Sequence, residues 1–183
     1  PLLIRKLRGT AIGKAILALR EYARTSFLVI SSRKAKPKSI LTISYLRLVK
    51  GRKDKGRMDI DLSEPFQATK EEEENIRDTI SNINSVLGTL ISNMSIGIRE
   101  EEDGMIELTS NKNNSPIPLR SESEGIIKLI SLLSVLIFVY NERSSCLVID
   151  ELDASIYEYL LGELMEVFRN GAEGQLIFTS HNL

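Results

Sequence analysis

The chain has 183 residues, of which 42% are hydrophobic and 27% are charged, so it is a folded globular protein rather than a disordered segment. A single cysteine, Cys146, excludes an internal disulfide framework and indicates a reducing, cytoplasmic compartment. The longest apolar run, Leu129 to Tyr140, is too short to span a bilayer, and no secretory signal opens the sequence. Both ends of the sequence are expected to be cuts through a larger protein.

The N-terminal third is strongly basic. Up to Arg57 it carries 16 Lys and Arg against 2 Asp and Glu, whereas the remainder carries 8 against 23. This asymmetry indicates either a surface that meets phosphates or a basic face that docks on the acidic rest of the molecule. Candidate nucleic-acid contacts are the basic residues of two predicted turns: Arg33, Lys34, Lys36, Lys38, Arg52, Lys53, Lys55 and Arg57. Little aromatic interleaving accompanies them, which argues against base stacking.

In chain order, helical spacing of apolar residues predicts a helix over 10–24, and FLVISS (27–32) and ILTISYLRLV (40–49) read as strands. The segment 50–57, KGRKDKGR, is predicted to be a basic loop because its glycines act as breakers. Residues 1–68 therefore form a basic helix and strand region, interpreted as an insertion or arm.

A long helix is predicted after Thr69, which forms a capping box with Glu72. The stretches 94–98 and 105–110 then predict a β-hairpin, and the proline-containing run 111–120 predicts another turn. Residues 69–122 are thus interpreted as a helical and β-hairpin lid region.

The final third, 123–183, reads as helix, apolar strand, helix, apolar strand. The strands are 145–150 and 175–180, and the helix over 155–169 is expected to start with a capping box of Ser155 and Glu158. Strands that are apolar throughout are typical of a parallel sheet covered on both faces, so the predicted fold class is α/β.

Three polar groups are predicted to meet at the carboxyl ends of these strands, where ligands of parallel sheets gather. Asp150 is a hard oxygen ligand suited to Mg²⁺, and Glu151 is placed to orient or deprotonate a water molecule. His181 could hydrogen-bond a phosphate. Ser123-Glu124-Gly125 starts a helix, where backbone amides bind anions. Each feature alone is also explained by an exposed strand end, a surface histidine or a helix cap.

LVIDELDAS and QLIFTSHNL, with SESEG ahead of a buried helix, together resemble the C-terminal part of an ABC-type ATPase head. The similar group is that of bacterial AAA family ATP-binding proteins with an SMC- or RecF-like head, in the same broad class as the OLD-type ATPases. The resemblance is specific over about residues 90–183. It implies a partial P-loop NTPase fold with parallel core strands, covering helices and an added β-hairpin and helical region.

The resemblance also implies roles, with ATP and Mg²⁺ as cofactors and a second head as partner in a homodimer. Asp150 would be the Mg²⁺-side carboxylate, Glu151 the catalytic base and His181 the switch histidine. Asp153 and Ser155 would fall in the D-loop at the dimer interface. Ser123, Glu124 and Gly125 would form the signature motif, which contacts the γ-phosphate bound by the opposite subunit. Tyr157 departs from the pattern, because many relatives have a histidine there.

No phosphate cradle of the form GxxxxGK[ST] occurs in the sequence. The nearest stretch, GTAIGKA from Gly9, has one residue too few and no hydroxyl after Lys14, so it is predicted to be part of an amphipathic helix. The leading hypothesis is an ATP-hydrolysing head that acts in bacterial defence or DNA transactions. The alternative is a non-catalytic head that binds nucleic acid or protein through its basic N-terminal third.

Overall fold

The computed structural model describes residues 9–30, 40–49, 52–62, 64–101, 104–113, 115–155 and 158–181. Its helices are α1 (Ala11–Thr25), α2 (Lys70–Leu90), α3 (Glu124–Asn141) and α4 (Glu158–Gly171). Its strands are β1 (Phe27–Ile30), β2 (Ile40–Val49), β3 (Arg52–Asp61), β4 (Met94–Glu100), β5 (Ile106–Lys112), β6 (Ser115–Pro118), β7 (Cys146–Ile149) and β8 (Gln175–Phe178). Two 3₁₀ turns span Leu119–Ser121 and Leu152–Ser155.

The strands that carry the candidate site form a parallel sheet in the order β1-β7-β8. The register is continuous across it, with Leu147 opposite both Leu28 and Leu176. This confirms the predicted α/β fold class with parallel core strands. β1 belongs to the basic segment 1–68, so that segment supplies one strand of the core sheet; the boundaries proposed at residues 68 and 122 stay predictions.

Helix α3 packs against β7 and β8 on one face of this sheet, and it also contacts β2 and α2. By length and composition α3 could cross a membrane, but half of its apolar window is buried inside the protein. Its packing is that of a core helix. The opposite face of the sheet is open: Val29 is 62% exposed and Ile177 is 47% exposed. The expectation of helices on both faces is therefore not met by the part of the chain that the structure describes.

Residues 52–57 are not a loop as predicted, because β3 runs from Arg52 to Asp61 and pairs antiparallel with β2 along its whole length. The apolar partner strand satisfies the backbone groups of β3 residue by residue, and this outweighs the weak strand propensity of its glycine and charged residues. Ile60 is 5% exposed and Leu41 on β2 is fully buried, so the hairpin contributes to the core.

The predicted capping box of α2 is confirmed, because Thr69 accepts a hydrogen bond from the Glu72 amide and the Glu72 carboxylate accepts one from the Thr69 amide. The predicted hairpin is confirmed as the antiparallel pair β4–β5. A third strand, β6, pairs with β5 where a turn was predicted. Its two prolines are tolerated because β6 lies at the sheet edge, where their missing amide donors are not needed.

Helix α4 begins later than predicted. A 3₁₀ turn occupies Leu152–Ser155, and the described helix starts at Glu158. The proposed capping box falls partly outside the described residues, since the Ser155 side chain is not among them. The turn places Leu152 in the core, where its side chain is 1% exposed. Burial of this leucine accounts for the tight bend directly after the two carboxylates.

Candidate functional site

Two of the three predicted polar groups meet at one edge of the parallel sheet. Asp150 and Glu151 follow β7, and Thr179, Ser180 and His181 follow β8. Because β7 and β8 are parallel neighbours, their carboxyl ends lie side by side. We call these five residues the carboxylate edge. Its position confirms the expectation that chemistry-bearing side chains gather at the carboxyl ends of these strands.

Thr179 links the two halves of the carboxylate edge. Its hydroxyl donates a hydrogen bond to Asp150 Oδ1 at 2.8 Å and accepts one from the Glu151 amide, also at 2.8 Å. Its backbone carbonyl accepts from the Leu152 amide at 3.0 Å. The sequence analysis missed this residue. A hydroxyl side chain directly after the strand that neighbours the two carboxylates would have been the signal.

Glu151 adopts a left-handed backbone conformation, with φ at 57°. This conformation costs a non-glycine residue roughly 1–2 kcal/mol, so the surroundings must hold it in place. The hydrogen bonds from Glu151 and Leu152 to Thr179 do so. A sharp, strained turn thus separates Asp150 from Glu151 and prevents the two carboxylates from continuing along the strand.

The side chains of Glu151 and His181 face each other across this edge. Glu151 Oε1 lies 3.9 Å from His181 Nε2, which is within ion-pair range when the imidazole is protonated. The His181 side chain is 79% exposed and that of Glu151 is 31% exposed. Both therefore remain accessible to a ligand or water at the edge of the sheet.

Asp153 fixes the backbone of His181. Its Oδ2 accepts a hydrogen bond from the His181 amide at 2.9 Å, and this bond lowers the pKa of the Asp153 carboxyl below its ordinary value. Asp153 Oδ1 is buried and accepts no hydrogen bond from the described residues. The described role of Asp153 is to position the histidine within its own chain. Its expected place in the D-loop stays a prediction, as does that of Ser155, whose side chain is not described.

The third predicted group, Ser123-Glu124-Gly125, lies at the start of α3. We call these three residues the signature turn. Ser123 is the N-cap, with its hydroxyl 3.4 Å from the Ile126 amide, and Glu124 pairs with Lys128 at 3.2 Å. Both of these contacts lie within α3 and its cap. The expectation that this turn converges with the other two groups stays a prediction.

Gly125 has no packing role that would require glycine. Among the described residues, a Cβ atom added to it would meet no atom beyond its own stretch of helix within 4 Å. By contrast, a Cβ at Gly174 would lie 2.4 Å from the Val139 carbonyl oxygen, so the fold itself requires that glycine. Gly125 also lies in a helix, where glycine is less stable than alanine. The open space above it leaves room for a ligand or another chain to approach the backbone.

The donor chemistry of the carboxylate edge suits Mg²⁺ rather than a protein-enclosed metal. The described residues contain no cluster of three metal-ligating side chains. Mg²⁺ commonly binds through one or two carboxylates, with water and substrate phosphate oxygens filling the other positions. Asp150, held by Thr179, provides such a carboxylate. The residues present therefore fit a nucleotide-bound Mg²⁺.

Gly13 and Lys14 lie in the first turn of α1, as predicted. The Gly13 amide donates to the N-cap hydroxyl of Thr10 at 3.1 Å, so it serves the helix rather than a phosphate. The basic residues proposed to contact nucleic acid are described only in part. Arg33, Lys34, Lys36 and Lys38 lie outside the described residues, and for Arg52, Lys53, Lys55 and Arg57 the structure describes the backbone of β3 alone. Their role stays a prediction.

Three solved structures with partial likeness to this chain are Smc heads. The Smc head with an extended coiled coil bound to the C-terminal domain of ScpA, from Pyrococcus furiosus, is 14% identical with a TM-score of 0.43, and the match covers 60% of this chain and 29% of that one. The Smc head with coiled coil and joint from Pyrococcus yayanosii is 15% identical with a TM-score of 0.43 over 59% and 22% of the two chains. A Smc head bound to the C-winged helix domain of ScpA is 17% identical with a TM-score of 0.47 over 66% and 39%.

This chain thus spans well under half the length of those structures, and at such TM-scores the likeness carries no argument about function. Among proteins with curated descriptions, none matches the chain. One protein family matches residues 15–183, which is most of the sequence and includes the carboxylate edge and the signature turn. That family consists of AAA domains, so the chain is an ATPase-type domain. It belongs to the family described as "AAA domain, putative AbiEii toxin, Type IV TA system".

Proposed function

We propose that this chain is the signature and Walker B part of an ATP-hydrolysing head, in which Asp150 holds the Mg²⁺ of ATP and Glu151 activates the attacking water. The observation that carries the proposal is the carboxylate edge. There Thr179 fixes both carboxylate-bearing residues, and His181 lies 3.9 Å from Glu151. The AAA-domain family match supports the same chemistry.

The acid–base arrangement favours a division of labour between the two carboxylates. The hydroxyl of Thr179 already engages Asp150 Oδ1, which orients the carboxylate as a second-sphere partner orients a metal ligand. Glu151 follows it on the other side of the strained turn and is partly exposed, so a water molecule can reach it. Mg²⁺, when bound with ATP, would neutralise developing phosphate charge. Glu151 would orient the attacking water or accept its proton, and His181 would hydrogen-bond the phosphate or that water.

We further propose that the signature turn acts on a nucleotide held by a second head. The exposed α3 N-terminus, with open space at Gly125, suits a phosphate approaching from outside. Ser123, Glu124 and Gly125 would then complete the site of the partner in a homodimer, with Asp153 and Ser155 nearby at the interface.

The biological role and the location of this activity are proposed from the family description and from the single cysteine. The family description names a putative toxin of a type IV toxin–antitoxin system, which supports a role in bacterial defence. The buried, free thiol of Cys146 is in keeping with the cytoplasm, where ATP is available. Through a second head and an effector protein or nucleic acid, ATP hydrolysis would be coupled to the role in bacterial defence.

The proposal is tested by Glu151→Gln in the full-length protein. This variant keeps the size and the left-handed turn but removes the base, so we expect ATP turnover to fall roughly 100-fold or more while nucleotide binding persists. Glu73→Gln, which removes an ion-paired carboxylate on α2, is the matched control and should retain wild-type turnover. Undiminished turnover in Glu151→Gln would remove Glu151 from the role of base.

A further inference from the structure

The segment that leads into the signature turn, 119–122, is anchored to strand β5 at two points. Leu119 is 1% exposed and starts a 3₁₀ turn. The Leu119 carbonyl accepts a hydrogen bond from the Glu122 amide at 3.0 Å. The charged side chains of Arg120 and Glu122 form ion pairs with residues of β5. None of these residues is part of the carboxylate edge or of the predicted signature.

The Glu122 carboxylate is almost fully buried, with 5% of its side chain exposed, and each oxygen has its own donor. Oε1 accepts from the Ser110 hydroxyl at 2.7 Å, and Oε2 accepts from Lys112 Nζ at 2.8 Å. Burial raises the pKa of this carboxyl, but the hydrogen bonds from Lys112 and Ser110 and the charge of Lys112 outweigh it, and the net pKa is lowered. The carboxylate is therefore held charged in one geometry.

Arg120 provides the second anchor. Its Nη1 lies 2.9 Å from Oε1 of Glu107, whose side chain is only 4% exposed, and Arg99 on β4 also pairs with Glu107. Oε1 of Glu107 accepts no well-directed hydrogen bond from the described part of the chain, so its contact with Arg120 is an ion pair. Glu107 and Ser110 are three residues apart on β5 and therefore lie on opposite faces of the sheet. The segment is thus held from both sides of one strand.

Local capping alone does not fix the signature turn. The N-cap bond from the Ile126 amide to Ser123 is 3.4 Å long, which is beyond the usual 2.7–3.2 Å of a strong hydrogen bond. Gly125 adds backbone freedom in the next turn of chain. The two short bonds of Glu122, one residue before Ser123, are the tightest restraints that the described residues place on this corner.

We propose that Glu122 is a positioning residue for the ATPase reaction: its bonds to Ser110 and Lys112 fix the signature turn against β5 in the orientation that meets the nucleotide of the opposite head. This inference rests on the proposed function. Glu122 does not touch the nucleotide. It acts through Ser123 and Gly125, and the rigid β4-β5-β6 sheet serves as the platform from which they project.

The test uses the full-length protein and the variants Glu122→Gln, Lys112→Met and the two combined, with Glu73→Gln as control. Glu122→Gln retains an acceptor for Ser110 but loses the charge pair, so the fold should persist. We expect the turnover rate at saturating ATP to fall roughly tenfold to 100-fold, because small misplacement of a positioned group has effects of this size. ATP affinity, measured separately, should stay within about twofold because Glu122 does not touch the nucleotide in this proposal.

Association of heads provides a readout that a merely structural role would not change. In the Glu151→Gln background, ATP-dependent dimerisation measured by light scattering should weaken when Glu122→Gln is added. The unfolding temperature, measured in parallel, should stay above the assay temperature, so that loss of folded protein does not explain the weaker dimerisation. Because Glu122 and Lys112 act as one unit, the double variant should be no worse than the poorer single variant. Lys112→Arg, which keeps the charge, should restore turnover.

The outcomes separate this inference from the proposed function. Wild-type turnover and dimerisation in Glu122→Gln, alongside an active parent protein, would overturn the role of Glu122 and leave the proposed function intact. A full-length protein that neither hydrolyses ATP nor associates with it would overturn both. Additive losses in the double variant would also refute the coupling between Glu122 and Lys112.

Discussion

The substitution Gly125→Ala should change stability and activity in opposite directions. A Cβ at this position meets no atom of the described residues within 4 Å beyond its own stretch of helix, and the residue lies in the first turn of α3 without a positive φ. Alanine in a helix is more stable than glycine by about 0.5–1 kcal/mol. For a domain of this size that gain corresponds to a rise in melting temperature of about 1–4 °C.

The same methyl group would stand in the space through which a phosphate is proposed to approach the backbone. We therefore expect ATP turnover of the full-length protein to fall roughly tenfold or more, since a methyl displaces the bound phosphate by about an ångström. The assays are thermal unfolding by circular dichroism and steady-state ATP hydrolysis at saturating nucleotide. A pure folding defect would instead lower both quantities together.

Gly88→Ala is the matched control, because Gly88 lies within α2 and its added Cβ likewise meets nothing within 4 Å. It should raise the melting temperature by a similar amount and leave turnover unchanged. Gly174→Ala gives the contrasting result expected of a packing glycine, because its Cβ would lie 2.4 Å from a carbonyl oxygen. If Gly125→Ala is stabilised and still hydrolyses ATP at the wild-type rate, the reasoning about an approaching phosphate is refuted.

Three further expectations concern other contacts. Thr179→Val should lower the free energy of unfolding by about 1–3 kcal/mol, measured by urea unfolding, because it removes the hydroxyl that bonds Asp150 and the Glu151 amide. Thr179→Ser should keep most of that stability. Equal stability of the parent and both variants would contradict this. Asn84 on α2 exchanges two hydrogen bonds with the backbone of Ile96 on β4, at 2.7 and 2.9 Å, so Asn84→Ala should cost about 1–3 kcal/mol in the same assay. The exposed Asn141 donates a hydrogen bond to the Ile137 carbonyl of its own helix, so Asn141→Ala should cost less. The pKa of Glu122 is lowered from its ordinary 4.5, so its carboxylate stabilises the fold above that pH, and this contribution is lost as pH falls through the lower folded value. Glu122→Gln should therefore be less stable than the parent at neutral pH. A difference in stability between the two proteins that did not narrow in acid would refute the ion-pair role of Glu122.

The strands and helices of the final third followed from periodicity and local signals. An apolar run ending in Asp150 and Glu151, with a second ending before His181, predicted the parallel pair and the edge at which its ligand chemistry gathers. The capping box at Thr69 and Glu72 likewise predicted the start of α2. These features are local, because each depends on residues within a few positions of one another, so they can be predicted from the sequence alone.

Other features depended on partners distant in the chain. The ten residues of β3 form a strand because β2 pairs with them, although their own propensity favours a loop. Thr179 reaches Asp150 across 29 positions, and no spacing rule connects them. β6 forms at an edge where its prolines are harmless. In each case a neighbouring strand satisfied backbone groups that the segment could not satisfy alone.

By itself, the sequence determined the residue types of the carboxylate edge, their order and the strands that carry them. Only the tertiary structure decided that Thr179 joins Asp150 to the Glu151 amide, and that Glu122 and Arg120 fix the signature turn to β5. Pattern specifies which face of an element is apolar and where an element ends. Which buried carboxylate meets which hydroxyl or lysine is settled by packing, because a charged group loses its water on burial and must find its partners in three dimensions.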